Sequence, residues 1–201
     1  PHHDLKFVVV TGGPGAGKTA LLEVVRRELC RHVHVLGEAA SILFGGGFPR
    51  RAHEGGRNAA QRAIFHVQSE LERVAAAEPD GAVALCDRGT IDGVAYWQGA
   101  PDAYWREVGS SHAAELAKYA AVVHLRTPGP AEYNHKNPVR TESAAEARVI
   151  DDRILEAWRA HPRRTVIDAD VDFMVKLERA LAAVAEELPT CCRKTLGARV
   201  R

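Results

Sequence analysis

Apolar residues along this chain fall into two alternating patterns. Short, nearly unbroken apolar runs stand at 5–10, 33–36, 82–86, 120–125 and 165–167. Between them lie longer stretches with helical period. In 18–30, Leu21, Leu22, Val25 and Leu29 share one face. In 57–78, Ala60, Ile64, Val67, Leu71 and Val74 recur at alternating spacings of four and three, and Pro79-Asp80-Gly81 ends the stretch. A charged helix is expected over 143–160, opened by Thr141 or Ser143, with Glu146 completing a capping-box pattern three residues beyond Ser143. A last helix is expected over 172–187, ended by Pro189. Strands that are apolar throughout need cover on both faces. Such strands alternating with helices predict an α/β, doubly wound parallel sheet. A Gly- and Arg-rich loop at 45–56 contains Pro49-Arg50-Arg51, and substrate could order it. Pro128, Gly129, Pro130 and Pro138 mark a hinged excursion before the charged helix.

Composition narrows the class. The 201 residues are 46% hydrophobic and 26% charged, which speaks against bulk disorder. That length predicts one domain, able to bury about 70% of the surface its unfolded chain exposes. Lys and Arg number 27 against 26 Asp and Glu, a net charge of +1 that excludes a generic nucleic-acid coat. The balance is uneven: after Pro189 come Arg193, Lys194, Arg199 and Arg201 and no acid. This tail reads either as an exposed terminus or as a contact for an anionic lipid or nucleic acid. Cys30, Cys86, Cys191 and Cys192, with no Cys-x-x-Cys pair, make no disulfide framework and fit a reduced, cytoplasmic setting. No apolar run approaches the roughly 20 residues that span a bilayer, and no secretory signal is visible.

One motif carries definite chemistry. Gly12-Gly13-Pro14-Gly15-Ala16-Gly17-Lys18-Thr19, followed by Ala20, fits G-x-x-x-x-G-K-[ST] between an expected strand and an expected helix. Glycines let such a loop wrap its N–H groups around phosphate, and the helix that follows adds its positive end. Lys18 would reach the β- and γ-phosphates, and the Thr19 hydroxyl would ligate Mg²⁺. Asp87 directly follows the third apolar run, where a second Mg²⁺ ligand belongs, and Arg88 beside it could meet phosphate. Glu38 holds the matching place after the second run and could accept a proton from an attacking hydroxyl, or merely cap the next helix. Arg140 and Arg148 flank and enter the charged helix, from which they could neutralise charge in phosphoryl transfer. Arg153 and Arg159 read as a solvated face. Asn58, Gln61 and Gln68 offer polar contacts to an acceptor, and Tyr96 and Trp97 would stack on a ring or belong to the core.

The blocks at 12–19, Gly37-Glu38-Ala39-Ala40, 87–97, Val139-Arg140-Thr141-Glu142 and Glu146-Ala147-Arg148 together resemble the small AAA-type P-loop ATPase/kinase-like family. They are similar also to the kinase domain of NadR and, more distantly, to deoxynucleoside and thymidylate kinases. The resemblance covers 5–187. It implies a P-loop NTPase with a five-stranded parallel sheet in order 2-3-1-4-5, flanking helices, a kinase-like lid at about 128–150, and a basic tail at 188–201. It implies ATP and Mg²⁺ as cofactors, and Glu38 as the base toward an acceptor hydroxyl. Gly89 departs from the Ser or Thr usual at that place in deoxynucleoside kinases, which counts against a nucleoside acceptor.

Two functions follow. In the first, the chain is a kinase moving the ATP γ-phosphate to a hydroxyl of a small, nucleoside- or ribose-like molecule, with Lys18, Glu38, Asp87, Arg88, Arg140 and Arg148 at the reaction. In the second, it is a nucleotide-dependent ATPase or GTPase switch or binding module with no acceptor. No Asn/Thr-Lys-x-Asp guanine motif occurs, which favours ATP. The length leaves little room for the helical domain of a hexameric motor.

Overall fold

The five apolar runs form five parallel strands. They are β1 (Lys6–Thr11), β2 (Val33–Leu36), β3 (Val83–Asp87), β4 (Tyr119–Leu125) and β5 (Arg164–Ile167), side by side in the order β2-β3-β1-β4-β5. This is the order implied by the resemblance. The computed structural model describes residues 4–28, 32–129, 143–169, 172–190 and 192–193.

Strand side chains alternate between the two sheet faces, and each face has its own core. Val8, Val10, Val83, Leu85, Val123 and Leu125 point to one face. There they meet α1 (Lys18–Glu28) and α8 (Phe173–Glu187), through Leu21, Leu22, Val25, Leu181 and Val184. Val9, Cys86 and Val122 point to the other face, into an aromatic core of Phe65, Trp97, Tyr104, Trp105, Tyr119 and Trp158. That face is covered by α3 (Glu54–Ala77), α4 (Gly93–Tyr96), α5 (Pro101–Val108), α6 (His112–Lys118) and α7 (Ala144–Ala157). α2 (Ala39–Gly45) follows β2 and packs on α3.

Local chemistry sets the boundaries. α3 starts one turn earlier than the apolar pattern predicts, because His53 Nδ1 accepts the Gly56 N–H at 3.1 Å and caps it. Gly55 and Gly56 are poor helix formers, so the pattern placed them in the loop. α7 carries the expected capping box of Ser143 and Glu146. Asp172 caps α8 by accepting the Met174 N–H at 2.8 Å. The short α5 and α6 escaped the periodicity reading; Pro101 opens α5, and Gly109, at φ 69°, ends it.

Two sequence expectations change. Cys192 is fully buried against the α1/α8 core and disulfide-bonded, which a reading of four unpaired thiols did not foresee. Arg193 of the basic tail donates to the carbonyls of Leu188 (2.8 Å) and Glu186 (2.6 Å), covering the end of α8. His34 of β2 is half-buried and would contact any side chain at Gly81. Lys194, Arg199, Arg201, Cys30 and Cys191 lie outside the described residues. Among the described residues, no helix is long and apolar enough to cross a membrane.

Candidate active site

The carboxyl ends of β1, β2 and β3 open together onto a cleft of about 1130 Å³, walled by α2, α3 and α7. The phosphate-loop motif leads directly from β1 into α1. Its glycines are fixed by geometry. Gly12 sits at φ 137°, and a Cβ there would lie 2.0 Å from the Leu125 carbonyl oxygen. A Cβ on Gly13 would lie 2.4 Å from Thr127 Oγ1 and 2.6 Å from Asp151 Cβ. Gly15 and Gly17 hold φ 78° and 98°. The loop is thus pressed between the end of β4 and α7. Pro14, Gly15, Lys18 and Thr19 border the cleft; Ala16 is buried in the core and Ala20 is half-buried on α1.

Lys18 Nζ donates to the carbonyls of Gly12 and Gly13, both at 3.0 Å. Burial, helped by the Arg88 charge, brings its ammonium down to about 8, against the pull of Asp87, Glu38 and Asp92. Asp87 ends β3, and its Oδ1 is buried without a hydrogen-bond partner. Burial pushes this carboxyl up, with Lys18 and Arg88 opposing. An unpartnered buried carboxylate oxygen beside a phosphate loop fits a cation, and the exposed Thr19 hydroxyl on the first turn of α1 offers a second ligand. Among the described residues no cage of three or more His, Cys, Asp or Glu forms, and Mg²⁺ requires none, since carboxylates, phosphates and water hold it.

Arg88 organises the floor. At φ 71° it is the one non-glycine among the described residues in left-handed backbone. Its N–H donates to the Val10 carbonyl at 3.0 Å, its Nε to Glu38 Oε1 at 2.7 Å and its Nη1 to Asp92 Oδ2 at 3.2 Å. Glu38 occupies the N-cap position of α2, yet its side chain makes no cap. Its Oε2 accepts instead from Ser41 Oγ at 2.5 Å. Burial alone would raise the Glu38 carboxyl; the Arg88 charge and the Ser41 and Arg88 hydrogen bonds hold it below its ordinary value. Glu38 is therefore ionised at neutral pH and faces the cleft.

The arginines expected from the charged helix are placed differently. Arg148 is exposed and does not border the cleft; its Nη1 is the nearest atom, at 3.9 Å, to a Cβ built on Gly129. Arg153, assigned by the pattern to a solvated face, is exposed but does border the cleft, while Arg159 pairs with Glu156 on the surface. Arg140 lies outside the described residues, as does most of the segment expected as a lid. Gln61 and Tyr96 line the cleft, whereas Trp97 joins the core. Asn58 is consumed by two 2.9 Å hydrogen bonds with the Gln98 backbone, and Gln68 donates to Glu72 at 3.0 Å.

Two buried carboxylates were missed. Asp92 accepts from Thr11 Oγ1 and Trp158 Nε1, both at 2.6 Å, as well as from Arg88. Its signal was its place four residues after Arg88. Asp151 of α7 accepts the Gly13 N–H (2.8 Å) and His124 Nε2 (2.8 Å) on one oxygen. Its other oxygen takes the Thr127 N–H at 3.1 Å and faces Arg126 Nε at 3.2 Å. Its signal was a carboxylate on the stripe Ala144, Ala147, Asp151, Ile154 and Trp158, whose other members are apolar and buried. Gly89 is also explained: a Cβ there would lie 2.7 Å from the Trp158 ring, leaving no room for Ser or Thr.

Comparison with known proteins agrees with this fold. Among solved structures, NadR protein in complex with NR superposes at TM-score 0.67 with 14% identity, over 92% of this chain and 52% of that one. This chain thus spans about half the length of NadR. Deoxyadenosine kinase from M. mycoides with bound dATP matches at TM-score 0.61 with 12% identity, over 89% of this chain and 98% of that one. Thymidylate kinase from Candida albicans matches at TM-score 0.58 with 13% identity, over 92% of each chain. At such identities the likeness is one of fold. No curated protein sequence matches. A family model described as an AAA domain matches residues 7–174, and on that match the chain belongs to this AAA-domain family.

Proposed function

We propose that the chain is a phosphotransferase that moves the γ-phosphate of ATP to a hydroxyl of a small, nucleoside- or ribose-like molecule. The observation that carries this reading is the ionised Glu38, held by Arg88 and Ser41 on a cleft wall shared with Asp87 and Lys18. A fixed carboxylate at that place orients an attacking hydroxyl, and the cleft beyond it has room for an acceptor larger than water.

The residues divide the work. Residues 12–20 would hold the triphosphate, with Lys18 leaving its two carbonyl contacts for phosphate oxygens. Thr19 and Asp87 would hold Mg²⁺, which when bound supplies charge neutralisation across the transferring phosphoryl group. Glu38 accepts a hydrogen bond from the acceptor hydroxyl and takes its proton as the new P–O bond forms and the bond to ADP breaks. Phosphoryl transfer is loose and asks little of a base, so a carboxylate held below its ordinary value suffices. Arg88, locked in place, faces the developing charge without reorganising. Arg140 would add to it.

The test is γ-phosphate transfer from labelled ATP to a panel of nucleosides, sugars and their phosphates. We expect Glu38→Gln to lower kcat by about 100-fold, within the usual reach of a general base, with nucleotide affinity within twofold. An unchanged kcat would remove Glu38 from the reaction.

A further inference from the structure

The cleft runs from the phosphate loop past β3 to α2 and the start of α3, and its charges are matched at one end only. Near β1 and β3, Arg88 is paired with Glu38 and Asp92, and Lys18 lies within the field of Asp87. On the β2 side, the wall is made by α2, the 46–53 connection and the start of α3. There Arg50, Arg51 and Arg57 border the cleft. Among the described residues, none of the three has a carboxylate within 4.0 Å. The acid facing them from α7, Glu146, already accepts from the Ser143 N–H and hydroxyl.

This basic end is built. The Arg50 guanidinium lies 4.0 Å over the Phe44 ring, which orients it. A Cβ on Gly56 would lie 2.3 Å from Arg51 Cβ, so that glycine admits Arg51 against the first turn of α3. The 24-residue α3 adds the positive end of its dipole, with His53 satisfying the Gly56 N–H. Three cations with no opposing free acid are wasted on a neutral sugar or nucleoside. They suit a dianion, which guanidinium groups bind through paired hydrogen bonds.

We infer that the acceptor carries a phosphate monoester of its own, anchored by Arg50, Arg51 and Arg57, and presents a free hydroxyl to Glu38. The inference rests on the phosphotransferase reading and names the acceptor class for that same site. The ionised Glu38 sets the direction: it repels a phosphate and accepts from a hydroxyl. The new bond is therefore an ester to the acceptor hydroxyl and not an anhydride to its phosphate; the hydroxyl proton goes to Glu38 and ADP leaves.

The test is calorimetry on the full chain saturated with Mg²⁺ and AMP-PNP. The probes are the pairs ribose and ribose 5-phosphate, adenosine and AMP, and uridine and UMP. We expect at least one phosphorylated probe to bind about tenfold or more tightly than its neutral partner. In Arg50→Gln/Arg51→Gln/Arg57→Gln the two members should bind within about twofold of each other, with AMP-PNP affinity and melting temperature unchanged. Arg51→Gln alone should narrow the gap, which guards against a misfolded triple variant. Three results would overturn the inference: neutral probes binding as tightly, no phosphorylated probe binding at millimolar concentration while AMP-PNP binds, or the arginine variants losing AMP-PNP affinity instead. Because AMP-PNP transfers nothing, absence of phosphoryl transfer from ATP would count against the kinase reading while this binding difference stood.

Discussion

At the scale of single residues, the site is a set of ionisable groups whose burial is set against their neighbours. Lys18 shows it most simply. Its ammonium, brought down to about 8 by burial, is only half charged at pH 8. A bound triphosphate favours the charged form and would restore it. Calorimetry in buffers of different ionisation enthalpy should therefore show uptake of roughly half a proton on AMP-PNP binding at pH 8, shrinking toward zero at about pH 6.5. In Lys18→Met that uptake should be absent; its persistence would assign the proton elsewhere. Asp87 makes the opposite bargain between stability and use. Its carboxyl is raised, so ionisation is less favourable in the folded chain than in the unfolded one. Asp87→Asn should therefore melt higher than wild type at pH 7. The gap should close as pH falls below the ordinary carboxylate value of 3.8, where Asp87 is neutral in both states. The same variant should lose Mg²⁺-dependent nucleotide binding, and a lower melting temperature at pH 7 would contradict this account.

Among the elements, the contact that matters most is between α7 and the phosphate loop. Asp151 is the link: one carboxylate serves two backbone N–H groups, a histidine and an arginine from two segments, the phosphate loop and the stretch 124–127. An amide at that position can accept on one side only and would turn its N–H₂ toward other donors. Asp151→Asn should lower stability by about 2–4 kcal/mol, through buried donors left without acceptors. That corresponds to a fall in Tm of at least ~5 °C for a domain of this size. The linkage has a definite sign. Burial would raise the Asp151 carboxyl, but His124 and the Thr127 and Gly13 N–H groups hold it below its ordinary 3.8. Its contribution is complete above 3.8 and is lost as pH falls from there through the lower folded value, so the variant should show a flatter stability profile in that window. Equal profiles would remove Asp151 from the linkage. The loop glycines depend on the same contact, since Gly13 has no room for a Cβ between Thr127 and Asp151. The elements themselves were legible where the period was long or the run wholly apolar, as in β1 and in the body of α3. They were not where a cap or a turn decided the matter. His53 capping across two glycines, and α5 and α6 at 8 and 7 residues, leave too short a pattern to read.

For the whole molecule, sheet order and site follow from one arrangement: parallel strands bring their carboxyl ends to one edge, so Thr11, Leu36 and Asp87 deliver the phosphate loop, Glu38 and Arg88 to one cleft. That convergence was legible because the phosphate loop, Glu38 and Arg88 each begin two residues past the end of an apolar run. Asp92 and Asp151 were not, because their roles depend on Trp158, His124 and the loop backbone, partners 24 to 138 residues away in the chain. The basic end of the cleft was legible only as a Gly- and Arg-rich loop; its charge acquires meaning once α2 and α3 fold it against the site. The central claim is that this cleft transfers phosphate and does not merely bind or hydrolyse nucleotide. The most direct test is the fate of the γ-phosphate in a quenched reaction of wild-type protein with labelled ATP, Mg²⁺ and the acceptor panel. The account predicts label in an ester on one acceptor, ADP formed in equal amount, and loss of that product in Glu38→Gln and Lys18→Met. Label found solely as inorganic phosphate, at a rate no acceptor changes, would contradict it.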